Sequence, residues 1–204
     1  MKTIVLASNN KHKIKEISEM ITDYNIVTMR EIGFDQDIAE TGTTFVENAM
    51  IKAQTIRQYL DDLGLDYYVL SDDSGLICNG LNGDPGVYSA RYASLNATDE
   101  ENRQKLLREL AKVDDRTASF TCCMVLLNAE GKSIVGVGET KGEILREYAG
   151  NTEFCYDCLF YSYELGKSFG EATEEEKNSV SHRAKAVHNL LKSLANNEWR
   201  VMSC

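Results

Sequence analysis

Asp72 and Asp73 stand side by side after the apolar run 67–71, and Glu40 stands just before Thr41-Gly42. In an extended chain successive side chains point to opposite faces, so only one of the two aspartates faces a given pocket. That one would offer oxygen to Mg²⁺, with Glu40 as a second oxygen ligand, while its neighbour would hydrogen-bond the loop backbone. An Asx-turn closing a strand accounts for the pair equally well. Ser8-Asn9-Asn10-Lys11-His12-Lys13 occupies a strand-to-helix turn, where unpaired backbone N–H groups and the helix dipole favour an anion. A phosphate there would suit Lys13, although no GxxxxGK[ST] loop occurs and a solvated corner has the same composition. At about 100° per residue, Lys52 projects only about 20° from Phe45 and lies at the edge of an apolar helical stripe. From there it either snorkels to water or reaches a polyanion.

Two further groups carry possible chemistry. Ser181-His182-Arg183, with Lys177 upstream, gathers donors at a helix start. They read either as a capped, solvated turn or as donors to a carbonyl oxygen on a planar ligand, with Phe154 offering a face for stacking. Cys155-x-x-Cys158 has no second CxxC and no suitably spaced histidine, which makes zinc a weak reading. Its aromatic, strand-like setting from Phe154 to Phe160 also differs from a redox motif at a helix N-terminus, leaving incidental thiols.

The elements that must hold these residues follow from periodicity. Lys2–Ala7 reads as a buried strand, and Ile14, Ile17 and Ile21 then fall at helical spacing over Lys11–Ile21. Thr44-Phe45-Val46-Glu47 is a capping box opening a long amphipathic helix with Phe45, Ala49, Ala53, Ile56 and Leu60 on one side. Tyr67–Ser71 reads as a second strand ending in a polar loop, followed by Gly80-x-x-Gly83-x-x-Gly86. Thr98-Asp99-Glu100-Glu101 caps a helix to about Lys112, and Ala118–Leu127 with Lys132–Thr140 reads as a β-pair around Asn128–Gly131. Val180, Ala184, Val187, Leu190, Leu191 and Leu194 mark a final helix. The fold class is α/β, with a mixed central sheet and flanking helices.

The chain has 204 residues, 43% of them apolar and 26% charged, which is ordinary for one continuous globular fold without repeats. Its 22 basic and 32 acidic residues give a net charge of −10, with no run of five like charges, which argues against a nucleic-acid polymer as partner. The first residues lack a signal-peptide apolar stretch and run into Asn9 and Asn10. A membrane partner is not expected, and Cys78, Cys122, Cys123, Cys155, Cys158 and Cys204 read as reduced thiols of a cytoplasmic protein.

In order, Ala7–Lys13, Glu40–Ala49, Asp72–Leu76, Gly83–Ala93 and Glu176–Arg183 resemble five blocks of the inosine triphosphate pyrophosphatase family, over nearly the whole chain. The resemblance implies a single domain over 1–204, elongated and two-lobed with a substrate cleft between the lobes. It also implies a homodimer and an obligatory divalent metal, Mg²⁺ with Mn²⁺ as a substitute. The substrates would be deaminated purine nucleoside triphosphates (ITP, dITP, XTP), hydrolysed to monophosphate and pyrophosphate. Carried over residue by residue, Ser8, Asn10 and Lys13 hold phosphates and Lys52 faces the triphosphate. Glu40 and Asp73 bind metal, and Asp73 also activates water. Ser74, Phe154, Asp157, Lys177, His182 and Arg183 surround sugar and base. Asn9, Lys11, His12, Arg91, Cys155 and Tyr156 fall in or beside the same stretches and are expected to line the substrate. Cys155 and Cys158 replace the family's usual Gly and Pro. Three competing readings remain: a septum-inhibitor type pyrophosphatase for pyrimidine or modified nucleotides, a nucleotide-binding module without hydrolysis, and a thiol redox protein.

Overall fold

The computed structural model describes residues 1–201; Cys204 lies outside the described residues. The chain alternates β1 (Thr3–Leu6), α1 (Lys11–Met20), β2 (Asn25–Thr28), α2 (Phe45–Asp62) and β3 (Tyr68–Cys78). Then follow α3 (Asp99–Glu109), β4 (Thr117–Leu127), β5 (Lys132–Ile144), β6 (Phe160–Ser162), β7 (Lys167–Ser168), α4 (Glu174–Val180), α5 (His182–Ala195) and β8 (Arg200–Val201). One sheet has the order β2-β1-β3-β4-β5-β6-β7, with β8 on β5. The expected α/β class with a mixed sheet is what forms: β1 runs parallel to β2 and β3, whereas β6, β7 and β8 join antiparallel. The helices α1 and α2 supply the crossovers between the parallel pairs, whereas among these antiparallel ones only β6 and β7 are joined by a short turn, 163–166.

The chain divides into two compact units. The first comprises Met1–Asp73, Cys122–Gly138 and, among the described residues, 183–201. Strand alternation sorts its core onto two faces. Ile4, Leu6, Leu70 and Met124 meet Ile17 of α1 and Ala186, Val187 and Leu190 of α5. Val5, Val69 and Val125 meet Ala49, Ala53, Ile56 and Leu60 of α2. The β1 sequence thus serves both layers, which is why its run is apolar without a polar face.

The second unit comprises Ser74–Thr121 and Glu139–His182. Its core gathers Leu76, Leu106, Leu110, Phe120, Ile144, Tyr156, Phe160 and Phe169. The Phe120 and Phe160 rings lie 4.7 Å apart, and those of Phe160 and Phe169 lie 5.0 Å apart. Capping boxes close α2, α3 and α4 at Thr44/Glu47, Thr98/Glu101 and Thr173/Glu176.

Three local expectations are corrected. β3 does not stop at Ser71 but continues to Cys78, because Asp72 and Asp73 find buried partners without leaving the sheet. Phe154–Phe160 is not a strand: Asp157 N–H bonds the Phe154 carbonyl at 2.9 Å, a 3-10 turn spans Asp157–Leu159, and β6 begins only at Phe160. Val180 closes α4 rather than opening the last helix, since Ser181 takes an extended conformation between α4 and α5.

Candidate active site

In the first unit three elements carry the charged residues. Asn10 caps α1, its side-chain oxygen accepting from the N–H groups of His12 and Lys13 at 3.0 and 3.2 Å. Ser8 Oγ accepts from Asn10 N–H at 3.2 Å, so the turn is pinned by the residues expected to hold phosphate. Asn9, Lys11 and His12 are exposed around it. Lys13, in the first turn of α1, directs its ammonium to Asp72 Oδ2 at 2.8 Å. Lys52 Nζ meets Glu40 Oε1 at 2.6 Å and is only 11% exposed, so the lysine at the edge of the stripe turns to carboxylates rather than to water.

The loop before α2 is held by the helix itself. Glu47 completes the capping box, and Asn48, fully buried, accepts from Gly42 N–H at 2.8 Å through Oδ1. Its Nδ2 donates to Asp73 Oδ2 at 2.9 Å. Asn48 and Lys52 lie one helical turn apart on the same face, which is how α2 serves Asp73 and Glu40 together. Ser71 Oγ donates to the Ala49 carbonyl at 2.6 Å and locks β3 to α2 just before the aspartates. At Gly42 a Cβ would sit 2.7 Å from Glu47 Cβ and 2.8 Å from Asn48 Oδ1. Gly42→Ala is therefore expected to lower unfolding stability by about 1–3 kcal/mol, the usual range for overpacking, as read by denaturant unfolding.

Asp72 and Asp73 differ in environment as alternation requires. Burial alone would raise the Asp72 carboxyl, but Lys13, Arg183 and Lys52 outweigh it and hold it well below the usual carboxylate range. Asp73 is raised, chiefly by burial and further by Glu40, against the pull of Lys52 and the hydrogen bond from Asn48. Lys52 is pulled down by burial yet ends above its ordinary value because Asp72, Glu40 and Asp73 face it. The expectation that the aspartate facing away from the metal ligands bonds loop backbone is overturned: Asp72 pairs with Lys13, and Arg183 Nε lies 3.9 Å from Oδ2. Arg183 Nη1 donates to Glu16 Oε2 on α1. Among the described residues no group of three or more His, Cys, Asp or Glu side chains is placed to hold a metal ion, so Glu40 and Asp73 form at most a partial ligand set.

In the second unit, Lys177 Nζ donates to Asp157 Oδ2 at 2.5 Å and lies 4.6 Å from the Phe154 ring centroid. These three expected residues come together. Tyr156 is buried and donates its hydroxyl to the Ser89 carbonyl at 2.7 Å, and the His182 ring stacks on Phe120 at 4.9 Å. Both therefore pack in the core of their unit. Arg91 sits over the Tyr88 ring at 5.4 Å, and Ser74 follows the aspartates on β3. Asn102 fixes the 90–93 stretch from behind, donating to the Ala90 carbonyl and accepting from Ala93 N–H.

Cys155 and Cys158 are free thiols, and burial pushes both upward in pKa, so neither is a ready thiolate at neutral pH. Cys155 gives its carbonyl to Arg103 Nη1 at 2.6 Å.

The Ham1 family model matches residues 4–193. The chain belongs to the Ham1 family. A Clostridium perfringens relative named dITP/XTP pyrophosphatase is 47% identical over 199 residues, covering 95% of this chain and 98% of the relative. A Listeria monocytogenes protein of the same name is 41% identical, covering 96% of each chain. Among solved structures, the Staphylococcus aureus Ham1 protein superposes with a TM-score of 0.85 at 39% identity, covering 97% of this chain and all of that one. Membership bears out the resemblance drawn from the five blocks. Among the described residues no helix of this Ham1 chain is long and apolar enough to cross a membrane.

Proposed function

We propose that this chain is a divalent-metal-dependent nucleoside-triphosphate pyrophosphatase, converting dITP, ITP and XTP to the monophosphate and pyrophosphate within the cytoplasmic nucleotide pool, as a homodimer. The observation that carries the reading is the convergence, in the first unit, of Lys13 and Lys52 from two helices on Asp72 and Asp73, with Glu40 beside Lys52. Two buried or half-buried ammonium groups and two hard-oxygen donors suit a polyphosphate and a cation together. The names of the relatives support the substrate class.

The donor set fits Mg²⁺, which characteristically takes one or two protein carboxylates and fills its other positions with phosphate oxygens and water. Glu40 and Asp73 would hold it, and Mn²⁺ would find the same oxygen donors acceptable. When bound, the ion would neutralise phosphate charge and acidify water. Asp73 would orient the attacking water and accept its proton, a task favoured in a carboxyl raised above its usual range. Lys13 and Lys52 would bind the phosphate chain and stabilise charge on the departing pyrophosphate through fixed electrostatics. The attack would fall in line on the α-phosphorus. Turnover in water labelled with heavy oxygen should place the label in the nucleoside monophosphate; label in pyrophosphate would overturn this mechanism.

In the second unit, Phe154 offers a stacking face and the Lys177–Asp157 pair offers a donor and an acceptor for the nucleoside. Arg183 keeps donors beyond those facing Glu16 and Asp72 and would bond the 6-oxo group of hypoxanthine or xanthine. A 6-amino group there would leave a buried donor unpaired. Arg183→Ala should therefore lower the ratio of kcat/KM for dITP over dATP by about tenfold or more. An unchanged ratio would remove Arg183 from base selection.

A further inference from the structure

Four charges of the first unit form an alternating chain: Glu16, Arg183, Asp72, Lys13. Asp72 is the middle acid. It is 1% exposed, and although Lys13 Nζ is 2.8 Å from Oδ2 and Arg183 Nε is 3.9 Å away, neither Asp72 oxygen accepts a hydrogen bond of good geometry. A carboxylate buried without such hydrogen bonds depends on the cations around it, Lys13 and Arg183 nearest, and its use lies in them.

Topology also gives Asp72 and Asp73 different partners. Successive β3 side chains point to opposite faces. Asp73 is bonded by Asn48 of α2, while Asp72 meets Lys13 of α1 and Arg183 of α5, the two helices that cover the other face of the strands.

We propose that Asp72 is a positioning residue, which fixes the Lys13 ammonium for a phosphate, with Arg183 as its standing counter-charge. This rests on the hydrolase reading above. With two cations on one carboxylate, Lys13 can turn to a phosphate oxygen while Arg183 still neutralises Asp72. Asp72 therefore need not be protonated or exposed when substrate binds.

A double-mutant cycle tests this with Asp72→Asn, Lys13→Met and the double variant, read as kcat and KM for pyrophosphate release from dITP. Inorganic tripolyphosphate affinity by calorimetry, at fixed Mg²⁺, is the second readout. Asp72→Asn alone should lower kcat/KM on the order of a hundredfold and weaken tripolyphosphate binding, whereas in the Lys13→Met background it should cost about threefold or less. Equal losses in both backgrounds would mean that Asp72 acts independently of Lys13, and wild-type values for Asp72→Asn would mean that it positions nothing; either overturns the proposal. Should Asp72→Asn fail to fold, Asp72→Glu keeps the charge and moves it by one methylene, and its loss must likewise vanish without Lys13. If the wild-type protein releases no pyrophosphate from dITP, the hydrolase reading fails. The tripolyphosphate cycle then decides the positioning role by itself, non-additive losses supporting it and additive ones overturning it.

Discussion

Asp73→Asn is expected to lower kcat for dITP by on the order of a thousandfold or more while leaving the thermal midpoint equal to or above that of the wild-type protein. The two halves of this expectation have one cause. Asp73 is 6% exposed and its folded-state pKa is raised, by burial first and by Glu40 as well. An acid raised in the folded state favours folding below its ordinary range and loses that contribution as pH climbs through the folded value, so at neutral pH the ionised group works against stability. Asparagine removes the charge, keeps the shape and can still accept from Asn48 Nδ2. It cannot take a proton from water or offer a charged ligand oxygen. Calorimetric melting and steady-state kinetics on the same preparation check both halves. Loss of activity accompanied by a large drop in midpoint would instead mark Asp73 as structural.

Lys52→Met should show the opposite pairing, with activity and stability falling together. Lys52 is held above its ordinary pKa by Asp72, Glu40 and Asp73 against the cost of burial, so its removal takes the ion-pair partner from Glu40 and the largest counter-charge from Asp73, while Asp72 keeps Lys13 and Arg183. For a fully buried pair the loss would be about 3–5 kcal/mol; the Glu40 side chain keeps 27% of its exposure, which brings the expectation to about 2–3 kcal/mol at pH 7. The deficit should shrink as pH falls from about 6 to 4, because carboxylates deprived of a counter-charge take up protons more readily folded than unfolded. Turnover should fall on the order of a hundredfold or more, since a cation facing the phosphate chain is lost as well. Denaturant unfolding as a function of pH reads the first effect and kcat the second. A deficit that grows on acidification would contradict this electrostatic account.

How much of this was legible in the residues themselves varies with the kind of information each carries. The Thr44/Glu47 and Thr98/Glu101 capping boxes are local chemistry and appear where their spacing predicts them. Helix faces such as Ala49, Ala53, Ile56 and Leu60 follow from a 3.6-residue period that packing then enforces. Asn48 lies within the Glu40–Ala49 block, yet its role is not evident from the sequence. An asparagine one turn into a helix, on the same face as a half-buried lysine, was the available signal, but its two partners, Gly42 and Asp73, lie on separate elements. The partners of Asp72 are hidden for the same reason: the cations that hold it come from α1 and α5, and no periodicity on β3 announces them. Asp-Asp-Ser-Gly has turn composition and predicts an early end to β3, which tertiary pairing overrides. The Phe154–Phe160 stretch erred the other way, its aromatic content suggesting a strand where a turn forms.

The central claim is that the lysine and carboxylate constellation of the first unit, supplied with Mg²⁺, releases pyrophosphate from deaminated purine triphosphates. It is tested most directly by measuring product-resolved release from dITP, XTP, dATP and UTP side by side, with Mg²⁺ and again after addition of EDTA. The expected result is monophosphate and pyrophosphate from dITP and XTP, at rates at least about tenfold above those for dATP and UTP, abolished by EDTA. Equal turnover of all four nucleotides, a preference for UTP, or no metal-dependent release at all would contradict it.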